Sequence, residues 1–174
     1  MTDVILVDEH DNEVGLLEKL AAHTHPGALH RAVSVFVFDS KGALVLQRRA
    51  PVKYHFGGRW SNTACTHPAA GESEEEAARR CLVEEMAMDV EVRALLTFRY
   101  RAEDDSAKLV EHELDHVFVG MSDEDPSPRL PQVMAWSRRD PLDVMAAVES
   151  DPSPYTPWLG IALPLALDRL GTAD

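Results

Sequence analysis

Trp60–Glu85 reads WSNTACTHPAAGESEEEAARRCLVEE, and this stretch decides how the rest of the chain is read. Cys65 and His67 lie two residues apart, a spacing that points both side chains to one face of extended backbone. Pro68 and Gly71 break the extended run. Ser73 followed by Glu76 has the form of a capping box, so the sequence predicts a helix from about Glu74 to about Met88. Ala77, Ala78, Cys81, Leu82 and Met86 supply its apolar face, and the acidic residues of the first turn suit the helix dipole. An extended segment turning into a capped helix, with sulfur, nitrogen and oxygen ligands between them, is the pattern of a site.

The flanks supply strands. Val4–Val7 and Val14–Leu17 read as a hairpin around the polar run 8–12. Ala32–Phe38 (AVSVFVF) is apolar and β-branched enough to be buried on both faces, and Ala43–Gln47 returns after the turn 39–42. Downstream, Asp89–Phe98 reads as a strand, Ala102–Ala107 as a polar connection, and Lys108–Val119 (KLVEHELDHVFV) as a second strong strand. Ser122–Pro131 is a loop by its proline and acid content, and Val133–Trp136 a short strand. Asp140-Pro141 opens a helix, aspartate capping and proline at the first position. Trp158–Leu170 is a terminal helix that Pro164 is expected to kink or restart. Strands interleaved with about three helices predict one α/β domain over residues 1–174 with a mixed sheet.

Composition narrows the function. The chain has 174 residues, 45% of them hydrophobic, enough for a real core. A net charge of −13 argues against a general nucleic-acid or acidic-membrane binder. No apolar run is long enough to span a bilayer. The acidic start MTDVILVDEHDNE lacks the basic segment of an export signal, and two cysteines make no disulfide framework, so a cytoplasmic protein with free thiols is expected.

Several residues then stand out as chemistry. Glu111, Glu113 and Asp115 share one face of their strand and repel one another unless a cation sits there or the face is solvated; both readings stay open. Of eight histidines, His10 and His55 read as surface or satisfied core residues. His23, His30 and His67 with Glu111 and Glu113 would make a nitrogen/oxygen shell suited to Zn²⁺, Mn²⁺ or Mg²⁺. Cys65 is either a small buried hydrophobe or a reactive thiol. Cys81 belongs to the apolar helix face. Arg48, Arg49, Lys53 and Arg59 concentrate positive charge in an acidic chain, as an anionic substrate would require. Tyr100 and Trp158 are core aromatics or, for the tryptophan, a π face for a cation.

Taken together, EKLAAHTHPGALHRA, QRRAPVKYH, WSNTACTHPAAGES, ARRCLVEE, FRYRA, EHELDHVF and YTPWL resemble the type 1 isopentenyl-diphosphate Δ-isomerases, a branch of the Nudix superfamily. The resemblance runs from about residue 18 to 160. The Nudix helix signature is degraded: Thr66 and Ala87 replace its first and last glycines, Cys81 stands at its second glutamate, and Glu72, Arg80, Glu84 and Glu85 match.

The resemblance implies a Nudix-like α/β/α sandwich with a mixed sheet, and conversion of isopentenyl to dimethylallyl diphosphate. It implies that His23, His30, His67, Glu111 and Glu113 bind one tightly held divalent metal (Mn²⁺, Zn²⁺ or Mg²⁺). Glu85, with the Cys65 carbonyl, would help hold a Mg²⁺ that meets the substrate diphosphate. Lys19, Arg49 and Lys53 would contact that diphosphate, and Trp158 would cap the hydrocarbon end. Cys65 and Glu113 would transfer protons, with Tyr100 hydrogen-bonded near Glu113. Where Cys81 stands, the family often has a further arginine. A small diphosphate is the expected partner, with no nucleic acid or membrane, in a monomer or homodimer. Hydrolysis of a nucleoside diphosphate derivative, or a non-catalytic metal-binding or interaction domain on the same fold, are the competing readings.

Overall fold

The structure, a computed structural model, describes residues 3–128 and 130–172. Among these, nine strands form one mixed sheet. Strand β1 (Asp3–Val7) pairs antiparallel with β2 (Glu13–Glu18), and a short helix α1 (Lys19–His23) leads to β3 (His30–Phe38). β4 (Leu44–Arg49) follows, then β5 (Trp60–Ser61) and β6 (Ala64–Thr66). After helix α2 (Glu74–Cys81) come the long strands β7 (Val92–Asp104) and β8 (Leu109–Met121), then β9 (Val133–Arg139). Helices α3 (Pro141–Ser150) and α4 (Pro157–Gly171) complete the chain.

The parallel pairing of β3 with β8 organises the site. It runs from His30↔Glu113 to Phe38↔Met121, and β7 lies antiparallel on the other side of β8, with Tyr100 opposite Glu113. β8 is therefore an interior strand. Its acidic residues Glu111, Glu113 and Asp115 are buried, which resolves the choice left open above against a solvated face.

Alternation along β3 sends side chains to two cores. Val33, Val35 and Val37 pack with Ala77, Ala78, Cys81, Leu82 and Met86 on the α2 side. Phe36 and Phe38, with Val117 and Val119 of β8, pack against Val144, Leu159, Ala162 and Leu163 of α3 and α4. The result is the expected α/β/α sandwich. Each fully buried aliphatic side chain contributes roughly 1.5–3 kcal/mol to holding the layers together.

The capping box is present: Ser73 Oγ accepts from the Glu76 amide, and the Glu76 carboxylate accepts from the Ser73 amide. The helix expected to reach Met88 is instead α-helical only to Cys81. It widens into a π-helical turn over Leu82–Met86 and stops at Ala87, whose φ of 53° is left-handed. Ala87 takes the terminating conformation that glycine usually supplies. The polar connection predicted for 102–107 is also shorter, because β7 continues to Asp104 along its partner β8. The strand expected to begin at Asp89 begins at Val92. β9 extends to Arg139 rather than Trp136, following the edge of β4. Pro164 does not interrupt α4. Burial of Leu159, Ala162, Leu163 and Ala166 on both sides of the proline offsets the hydrogen bond it removes. No helix of the described residues is long and apolar enough to cross a membrane.

Candidate active site

Strands β3 and β8, helix α1 and the end of β6 bring His23, His30, His67, Glu111 and Glu113 to one point. Their ligand atoms all lie within 4.8 Å of one another. Register explains most of it. His30 and Glu113 are opposite one another across β3 and β8, and Glu111 lies two residues along the same face. His67 follows β6, which pairs with β3 through Val33↔Thr66. His23 closes α1, where it is fully buried.

Two imidazoles are oriented by the backbone. His23 Nδ1 donates to the Lys19 carbonyl at 2.6 Å, and His30 Nδ1 to the Ala28 carbonyl at 2.8 Å. In the neutral ring each Nε2 then carries a lone pair, the arrangement that metal-binding histidines use. His23 Nε2 lies 3.0 Å from Glu111 Oε2, yet neither atom makes a hydrogen bond. His30 Nε2, His67 Nε2 and Glu113 Oε1 sit 2.9–3.5 Å apart as a second knot of acceptors. A divalent cation would satisfy both knots, and three imidazoles with two carboxylates are a fitting donor set for it.

Electrostatics follow from the burial. Burial pushes Glu113 upward, but the hydrogen bonds it shares with His30 and His67 outweigh it and hold the carboxylate well below its usual range. Burial, reinforced by Lys19, takes His67 down to about 3, so its ring is neutral. Burial raises Asp115 well above the ordinary carboxylate range, with the charge of Glu113 adding to it. Asp115 Oδ2 and Ser34 Oγ are 2.7 Å apart, closing the acidic row on its inner side.

Next to the cluster opens a cavity of about 820 Å³. Its lining includes Lys19, Arg49, Lys53, Cys65, His67, Glu85, Tyr100, Glu111, Glu113 and Trp158. Tyr100 Oη donates to Glu113 Oε2 at 2.5 Å. Trp158 packs with Phe56 and Tyr100 into an aromatic wall beside Cys65. Arg49 is buried, with its guanidinium 5.2 Å from the Trp158 ring centre and Nη1 3.6 Å from Cys65 Sγ. Burial pushes the Cys65 thiol up to about 12, against the lowering influence of Arg49. Lys53 Nζ lies 3.0 Å from Glu85 Oε1. Burial lowers Lys19, and the nearby Lys53 charge lowers it further.

The basic cluster read from the sequence divides. Arg49 and Lys53 turn to the cavity. Arg48 donates to the Gly58 carbonyl, while Arg59 covers the Phe56 ring and reaches the Tyr155 carbonyl. Cys81 is core, its thiol 3.2 Å from the Ala78 carbonyl. Every other residue given a catalytic, substrate or metal role belongs to the cluster or lines the cavity.

Other residues were passed over by sequence reasoning. His55 is buried with Nε2 on Glu111 Oε1. Gln47 donates to Glu85 Oε2 at 2.9 Å. Asn62 accepts from Trp158 Nε1 at 3.0 Å. None carries a spacing signal. Only adjacency to Arg49, Lys53 and Cys65 pointed in their direction.

Comparison with known proteins identifies the family. The NUDIX domain family model matches residues 28–159. Isopentenyl-diphosphate Delta-isomerase 2 of Aromatoleum aromaticum is 49% identical over 160 residues, 92% of this chain and 84% of that protein. Isopentenyl-diphosphate Delta-isomerase of Halorhodospira halophila is 44% identical over 91% of each chain. The crystal structure of DR0079 from Deinococcus radiodurans superposes with a TM-score of 0.79 at 22% identity, covering 94% of this chain and 98% of that one. The last supports the fold alone. The chain belongs to the Nudix superfamily and, within it, to the isopentenyl-diphosphate Δ-isomerase family.

Proposed function

We propose that the protein isomerises isopentenyl diphosphate to dimethylallyl diphosphate. One observation carries the reading: a largely buried three-histidine, two-carboxylate cluster shares Glu113 with a cavity that also holds Cys65, Tyr100 and Trp158. The reaction adds a proton to one carbon of an unactivated alkene and removes one from another. It therefore needs two proton-transfer groups, an anchor for the diphosphate, and a wall that cannot quench a tertiary cation.

In this reading Cys65 and Glu113 transfer the protons, and Tyr100 holds Glu113 in place through its hydrogen bond. Trp158 presents its π face to developing positive charge without offering a nucleophile. Lys19, Arg49 and Lys53 bind the diphosphate and fix the hydrocarbon end against the proton-transfer pair. His23, His30, His67, Glu111 and Glu113 would hold one divalent ion. Glu85 would serve a Mg²⁺ that arrives with the substrate. When bound there, such an ion would supply Lewis acidity and make the Glu113 carboxyl a stronger acid.

Cys81 disfavours hydrolysis. It occupies a carboxylate position of the Nudix helix and lies 1% exposed in the core, where it cannot bind a hydrolytic metal. The test is direct: purified protein, Mg²⁺ and isopentenyl diphosphate, with products followed by NMR. Dimethylallyl diphosphate is expected. Release of inorganic phosphate or pyrophosphate instead would overturn the assignment.

A further inference from the structure

The loop between β4 and β5 carries a fourth histidine to the cluster, and nothing in the ligand set above accounts for it. The loop is folded tightly on itself. A Cβ on Gly57 would meet the Pro51 carbonyl oxygen at 2.7 Å, so that position admits only glycine. Phe56 holds a left-handed φ of 47°, and its amide donates to Asp104 Oδ2 at 2.8 Å. Asp104 is itself fixed at its other oxygen by Ser106. Arg49 Nη2 donates to the His55 carbonyl at 3.2 Å. Backbone at His55–Phe56 is thus pinned from both sides, and the His55 ring is buried.

That ring touches Glu111 Oε1, while Glu111 Oε2 faces His23. It also stacks on His23, with ring centres 5.3 Å apart and 29° between planes. A packing residue needs no donor aimed at a carboxylate and no strained backbone behind it. A metal-binding carboxylate needs its free oxygen held, because the held oxygen fixes which lone pair points at the ion.

We propose that His55 is a positioning residue of the metal centre: Nε2–H holds Glu111 Oε1, so that Oε2 is presented to the ion beside His23. The proposal rests on the reading of the cluster as a metal site. The same loop carries Lys53 to the cavity, so one pinned segment serves both the centre and the anion pocket.

The test follows metal retention without substrate. Metal-free protein is reloaded with Mn²⁺ alone or Zn²⁺ alone and challenged with a chelating dye, and release is read by absorbance. His55→Phe keeps the ring and loses the donor. It is expected to release the ion 10- to 100-fold faster, the usual cost of losing such a partner, with unchanged melting of the metal-free form. His55→Gln places an amide N–H where Nε2 lies and is expected to restore retention. Equal retention by wild type and His55→Phe overturns the proposal, as does equal loss in the Phe and Gln variants. If His55→Phe does not fold, His55→Asn, which is too short to reach Glu111, replaces it in the comparison with Gln. Wild-type protein that retains neither ion removes the metal centre itself, a result distinct from failure at His55 alone.

Discussion

Tyr100 and Glu113 are opposite one another across β7 and β8, and the phenol donates a 2.5 Å hydrogen bond to Glu113 Oε2 while Glu113 Oε1 faces His30 and His67. The two oxygens of one carboxylate thus have separate duties. Tyr100→Phe removes one hydroxyl from a buried site and leaves Oε2 without its donor. Hydrogen bonds to charged groups contribute about 1.5–3 kcal/mol, so kcat is expected to fall roughly 10- to 100-fold with the far-ultraviolet CD spectrum unchanged. An unchanged kcat would separate Tyr100 from the chemistry.

Cys65→Ala and Glu113→Gln are both expected to abolish turnover, but they divide on metal content. Cys65 lines the cavity without joining the five-residue cluster, whereas Glu113 belongs to both. Elemental analysis is expected to find about one divalent ion per chain in wild type and Cys65→Ala, and a marked loss in Glu113→Gln. Wild-type turnover in Cys65→Ala would remove the thiol from the reaction.

Asn62 fixes the aromatic wall. Its Oδ1 accepts from Trp158 Nε1 and Ser61 Oγ, and its Nδ2 donates to the carbonyls of Val35 and Ala64. The side chain is fully buried. Asn62→Ala leaves several of these groups unsatisfied, and chemical denaturation is expected to show a loss of roughly 2–4 kcal/mol. Because Trp158 loses its tether, tryptophan fluorescence should also change in the folded state. Stability within about 0.5 kcal/mol of wild type would refute this assignment of Asn62.

Much of this molecule was legible in its sequence because local rules and global packing agree. Ser73 and Glu76 marked the start of α2 through hydrogen bonds between near neighbours, which need no tertiary information. AVSVFVF marked a strand covered on both faces, since only burial on both faces tolerates such a run. The cluster residues were legible by type. Their convergence depends on parallel register between β3 and β8, and register between partners 83 residues apart, such as His30 and Glu113, leaves no local trace. His55 shows the limit most clearly. Its position is fixed by Gly57, by a left-handed Phe56 and by Asp104 on a distant strand, and none of these changes how a lone histidine reads. The π-helical turn at Leu82–Met86 was hidden for a related reason: its apolar spacing fits an α-helix equally well.

Acid weakens the pair formed by Arg80 and Glu72. Arg80 grips Glu72 with two parallel bonds, Nε to Oε1 at 2.7 Å and Nη2 to Oε2 at 2.9 Å, and donates also to the His67 carbonyl. The guanidinium hydrogen bond holds the Glu72 carboxyl below its ordinary value. In the window between the folded and unfolded values the unfolded chain binds more protons, so stability from this pair rises with pH. It is fully present above the unfolded value, about 4.3, and is lost as pH falls through the folded value. Arg80→Gln is therefore expected to be less stable than wild type at pH 7, and the gap between them should close on acidification below about pH 4. Urea denaturation across pH 3–7 reads both. A gap that stays constant with pH would mean that Arg80 acts through its bond to the His67 carbonyl and not through the Glu72 charge.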